Sequence, residues 1–129
     1  MSTDVSYDCE SGLMHTRAFG TLTIDDLADH PKKQIAAAPE KLRMVYELLD
    51  AREIETIAAT NLMLVPFVPK MLGELKRFDG IRLAILCDED WVAGQANQLA
   101  ALFMRSIVVV RVFRRKDEAL AWLKEQRAV

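Results

Sequence analysis

The side chains that could do chemistry are few and scattered. Nucleophilic catalysis needs a serine, cysteine or threonine beside a base, yet Ser2, Ser6, Ser11 and Ser106 do not stand at a strand-to-helix nucleophile elbow. Cys87 is better placed, after an apolar run and ahead of a helical one, where a helix dipole lowers a thiol pKa. Asp88, Glu89 and Asp90 beside it oppose the thiolate, so a small buried cysteine is expected. Asp50 and Asp88 each follow an apolar strand. Acids at the carboxyl ends of parallel strands can converge on Mg²⁺ or a phosphoryl group, which keeps a Mg-dependent enzyme open as one reading. The same acids also suit helix caps, and no Gly-rich phosphate loop accompanies them. His15 and His30 lack a third nearby ligand, so no metal site and no cofactor is expected of them. His30, directly before Pro31, is a candidate for a polar spot in a cavity wall.

The second candidate feature is apolar. Leu62-Met63-Leu64-Val65-Pro66-Phe67-Val68-Pro69 carries more hydrophobicity than one buried face requires. Three uses fit: core burial, a subunit interface in a homodimer, or a mobile wall of a pocket for an apolar ligand, where methionines adapt to varied shapes. The candidate binding residues are therefore Met63, Leu64, Phe67 and Met71, with His30. Membrane insertion ranks below these uses, because no cationic face surrounds the apolar stretch.

The elements that must position these residues read as ββαβαβαβα. Val5 to Glu10 and Leu13 to Phe19 flank Ser11-Gly12 and form an antiparallel hairpin. Period two places Met14, Thr16 and Ala18 on one face of its second strand. Gly20 to Thr23 ends that strand, and Thr23 with Asp26 caps a helix from Ile24 to about Ala37, with Pro31 inside it and Leu27, Pro31 and Ile35 on its inner stripe. Leu42 to Leu49 is a central parallel strand, an apolar run interrupted by Glu47 and ending in Asp50-Ala51-Arg52. A loop from Glu53 to Ala59 leads to a helical segment, Thr60 to Phe78, whose regular part begins near Pro66 after an apolar lead-in, Leu62 to Val65. Ile81 to Cys87 and Ile107 to Phe113 are further strands, each followed by a helix, about Trp91 to Met104 and Asp117 to Gln126. The fold class is α/β: one domain over residues 1–129, with a sheet of four or five strands and about four helices.

Composition narrows the partners. The chain has 129 residues and a formal net charge of -2, enough length to bury a core without disulfides and too little basic excess for nucleic acid to be the expected partner. Cys9 and Cys87 have neither metal-ligand spacing nor a secreted disulfide pattern. With no signal-like N-terminus and no apolar run long enough to span a bilayer, the sequence predicts a soluble, cytoplasmic protein without a transmembrane segment.

The residues Gly20-Thr21-Leu22-Thr23 with Asp26-Leu27 and His30, Leu49-Asp50-Ala51-Arg52, Arg82-Leu83-Ala84-Ile85, Gly94 with Ala96, and Val112-Phe113-Arg114 with Glu118 to Leu123 resemble the SpoIIAA-like family, a bacterial group related to STAS and CRAL-TRIO lipid-binding domains. The resemblance implies a STAS-like sheet, no established reaction, and an apolar ligand cavity beneath a movable helix containing Leu62 to Leu75. STAS anti-sigma-factor antagonists carry a phosphorylated serine at the start of the helix after the corresponding strand. Here the nearest hydroxyls are Thr56 and Thr60, and no serine stands there. Three functions follow: a noncatalytic module that binds an apolar, lipid-like small molecule or a protein partner, a phosphorylation-switched regulator using Thr56 or Thr60, and the Mg-dependent enzyme using Asp50 and Asp88.

Overall fold

The computed structural model describes residues 2–128, apart from the Asn61 side chain. Strand β1 (Thr3–Asp8) pairs antiparallel with β2 (Leu13–Thr23), and Gly12, at φ +70°, turns the chain between them in a conformation that favours glycine. Helix α1 (Ile24–Ala37) then carries the chain to β3 (Met44–Ala58), which lies parallel to β2. A broken helical connection, α2 (Asn61–Leu64) and α3 (Val68–Glu74) with 3₁₀ turns at Val65–Phe67 and Leu75–Arg77, leads to β4 (Gly80–Leu86). Helix α4 (Asp90–Leu102), β5 (Val108–Phe113) and α5 (Lys116–Ala128) complete the chain. The five strands follow one another in the sheet as β1-β2-β3-β4-β5, the last four parallel. The expected α/β class, opening hairpin and four helical segments, three of them crossovers and the last terminal, are all present.

Two stretches expected to be loop are strand. Gly20 does not end β2. With φ +64° it sits where the β2–β3 register shifts, between Gly20 and Thr21, and the strand continues to Thr23. That extension gives Glu53 to Ala58 a partner, so β3 takes up all but the last residue of the expected loop, with Ile54 buried and Glu53, Glu55 and Thr56 turned to solvent. Alternating polar side chains on an exposed strand end look like loop in sequence because only one of their faces is covered.

The sheet is covered unequally. On one face α1, α2, α3 and α4 pack over Met14, Ala18, Val45, Leu83 and Ile85; on the other α5 alone places Ala119, Trp122 and Leu123 against Leu48, Ala84, Leu86 and Phe113. The capping box at the start of α1 forms as expected: Thr23 Oγ1 accepts from the Asp26 N–H, and the Asp26 carboxylate accepts from the Thr23 N–H. Helix α1 remains continuous through the buried Pro31.

Candidate functional site

Glu47 is the polar residue at the centre of the covered face. Period two along β3 sends Val45, Glu47 and Leu49 towards α1, and the Glu47 side chain has no solvent exposure. An isolated carboxylate there would be costly, so donors must surround it. Three do. Thr16 Oγ1 donates to Oε2 at 2.7 Å, Gln34 Nε2 donates to Oε1 at 2.6 Å, and His30 Nε2 lies 2.8 Å from Oε2. Thr16 arrives from the inward face of β2, whereas His30 and Gln34 stand four residues apart on α1, the spacing that puts two side chains on one helical face. Burial alone pushes the Glu47 carboxyl up. The charge and hydrogen bond of His30, with the donors from Thr16 and Gln34, outweigh it and hold the carboxyl below the ordinary glutamate range.

His30 and Gln34 also line a cavity. It holds about 80 Å³ between α1, the sheet, the α2–α3 segment and α4; its walls include Leu22 and Ala18 of β2, Leu64 of α2, Met71 of α3, and Leu99 of α4. Asp26 and Thr3 are its other polar residues. A second space of about 70 Å³ shares the walls Leu22, Leu27, Leu49 and Leu99 and continues towards Ile54 and Val92. The polar residues of the first space therefore lie on α1 and β1, and Gln95 of α4 lines the second. Burial pushes Asp26 up, but its hydrogen bonds from Thr23 dominate and leave it below the usual aspartate range, hence ionised at neutral pH.

The structure divides the predicted binding residues. Leu64 and Met71 are buried and line the chamber together with His30, whereas Met63 and Phe67, on the same segment, face outward. With Leu62, which is 81% exposed, and Val65, they form an uncovered apolar strip along α2 and the following turn. One segment thus presents an apolar inner wall and an apolar outer face. Leu62 to Val65, expected as a lead-in loop, is mostly helix, and the segment is broken where Pro66 and Pro69 each occupy the first turn of a new helical piece.

The other candidates lie elsewhere. Thr56 is on β3, paired with Thr21, and so does not stand at a helix start. Thr60 does: its hydroxyl accepts from the Met63 N–H at 3.2 Å, and the residue is exposed. Asp50 is gripped by Arg52 through bonds of 2.7 and 2.9 Å from the guanidinium, while Asp88 is exposed on the turn after β4. Among the described residues no group of three or more His, Cys, Asp or Glu side chains could hold a metal ion. Cys87 is buried, and burial pushes its thiol up, away from the reactive thiolate.

Sequence reasoning passed over Glu47, Thr16 and Gln34. The signal was available: an acid inside an apolar central strand demands donors, and the preceding helix offers His30 and Gln34 one turn apart.

A mixed sheet with one hairpin edge, three parallel crossovers on one face and a terminal helix on the other defines an α/β domain in which a buried carboxylate borders an apolar chamber. The chain belongs to the SpoIIAA-like family, whose model matches residues 13–124. A solved structure of similar fold is that of an uncharacterized protein of the DUF3478 family from Shewanella loihica PV-4, itself described as having a SpoIIAA-like fold. It is 22% identical, with a TM-score of 0.58 over 95% of this chain and 92% of that one. No curated protein matches the chain significantly.

Proposed function

We propose that the chain is a noncatalytic binding module whose ligand is an apolar, lipid-like small molecule held in the chamber between α1, α2–α3 and α4. The single observation that carries this reading is the chamber itself: apolar walls from Leu22, Leu64, Met71 and Leu99, with the polar residues of its first space gathered on α1 and β1. Protein interiors are close-packed, so space left beside a satisfied polar cluster calls for an occupant. The two adjoining spaces together match the size of a cavity that takes up benzene, about 150 Å³. A longer chain requires the α2–α3 segment to shift. Its pieces of four and seven residues are joined by a 3₁₀ turn, so few regular hydrogen bonds resist that motion. Covering a few hundred Å² of apolar ligand surface at about 25 cal/mol per Å² gives several kcal/mol before ordering costs, which is micromolar binding.

Native mass spectrometry with solvent extraction tests this directly. Protein from its native host carries an extractable apolar molecule, and Met71→Trp, which fills the chamber, loses it while retaining a cooperative thermal transition. Wild-type protein that is consistently empty removes the reading.

A second reading has its own observation. The strip Leu62, Met63, Val65 and Phe67 is exposed and apolar, as expected of a face that meets a protein partner or a second copy of the chain. A regulatory phosphate at Thr60 would add charge beside that strip.

A further inference from the structure

We infer that the chamber selects a small apolar ligand bearing a neutral hydroxyl, and discriminates against the corresponding carboxylate. The inference rests on the chamber being the ligand site and concerns the chemistry of its polar residues. There Glu47 consumes one side of each α1 residue: Nε2 of His30 and the amide nitrogen of Gln34 both point to its carboxylate. Nδ1 of His30 and Oε1 of Gln34 are left with no hydrogen-bond partner among the described residues. Neither is sealed in protein, since among those residues Arg77 Nε is the sole fully enclosed side-chain polar atom lacking a partner. Both residues line the chamber.

The free atoms set the ligand's chemistry. An amide oxygen accepts and does not donate, so the complementary ligand group carries an O–H or N–H. An imidazole nitrogen accepts in one protonation state and donates in the other; a hydroxyl, which both donates and accepts, satisfies either. Charge excludes the acid. The ionised Asp26 lines the chamber and meets any incoming anion, while the fully buried Glu47 adds its charge from behind His30. Against them stand His30, committed to Glu47, and Lys33, whose ammonium is bound to the backbone oxygen and hydroxyl of Thr3 at 2.9 and 2.6 Å. A ligand carboxylate would lose its water and find no uncommitted cation.

Three molecules of matched shape separate the possibilities: benzyl alcohol, benzoate and toluene, each titrated into the isotope-labelled protein at pH 7.5 and followed by NMR. The methyl signals of Met71 and Leu99 report chamber occupancy. Benzyl alcohol binds about tenfold tighter than benzoate and several-fold tighter than toluene, the gain that one or two neutral hydrogen bonds provide. Gln34→Met brings the alcohol to within about twofold of toluene. If that variant fails to fold, the wild-type series still decides the matter. Benzoate binding as tightly as the alcohol, or toluene equalling it, overturns the hydroxyl assignment while leaving the chamber as a binding site. If none of the three moves the Met71 or Leu99 signals, the chamber reading falls and this inference with it.

Discussion

At the scale of single residues, the carboxylate of Glu47 shows how a strand tolerates a charge at its buried centre. Its cost is met by three neighbours from two other elements, so each neighbour is worth more than an ordinary hydrogen bond. Removing one partner leaves the charge uncompensated, whereas replacing the carboxylate by an apolar side chain of similar volume removes the need for compensation. His30→Ala therefore costs about 3–5 kcal/mol in urea unfolding, and Glu47→Leu costs clearly less. The pH dependence follows from the sign of the shift. The folded carboxyl titrates below its unfolded value, so its contribution is complete above the unfolded carboxylate range and fades as pH falls through the folded one. Wild-type stability accordingly declines on acidification more steeply than that of Glu47→Leu, as urea titrations between neutral pH and the acid range will show. In the sequence Glu47 looked like an interruption of an apolar strand. That it is an organising centre depends on Thr16, His30 and Gln34 meeting it, and Thr16 is separated from it by 31 positions.

At the scale of elements, the segment from Asn61 to Arg77 is the least regular part of the fold. Its apolar excess was visible in the sequence, as was the disturbance by Pro66 and Pro69, because proline cannot donate within a helix and limits its predecessor. Which side chains turned inward was not visible, since a helix apolar all round has no distinctive face. Leu64 and Met71, seven residues apart, turn inward, and Met63 and Phe67, four apart, turn outward. If the outward strip joins two copies, the wild type sediments as a dimer and Phe67→Glu as a monomer, because an introduced carboxylate cannot be desolvated in an apolar contact. A monomer in both cases excludes a second copy as the partner of the strip. The extension of β3 shows the complementary difficulty: Glu53 to Ala58 lacks the apolar density of a central strand, and only the continuation of β2 beyond Gly20 makes it one.

At the scale of the whole molecule, the sheet separates two jobs. The face under α1 to α4 contains the chamber and the Glu47 cluster, whereas α5 closes the opposite face with a packed layer in which Trp122 lies against Phe113, their ring centroids 5.7 Å apart. Arg127 near the end of α5 also hydrogen-bonds the backbone oxygen of Ser11, tying the last helix to the first turn. Trp122→Ala should thus cost about 3–5 kcal/mol of stability and leave the affinity of a chamber ligand unchanged, as calorimetric unfolding and the NMR titration can establish separately. Equal loss of both would mean that the two faces are coupled through the strands. None of the helices among the described residues is long and apolar enough to cross a membrane.

The sequence by itself determined the strand and helix order, the capped start of α1, the shared face of Met14, Thr16 and Ala18, and the segment in which apolar surface is in excess. All of these are local: periodicity, capping and proline act over a few residues, so their physics is complete within a short window. The tertiary structure alone decided that Glu47 is held by three donors, that of Met63, Leu64, Phe67 and Met71 only Leu64 and Met71 face the chamber, that β3 extends to Ala58, and that the polar residues of the first space lie on α1 and β1. Each of these depends on contacts between distant elements, and burial, which sets their energies, does not exist until those elements meet.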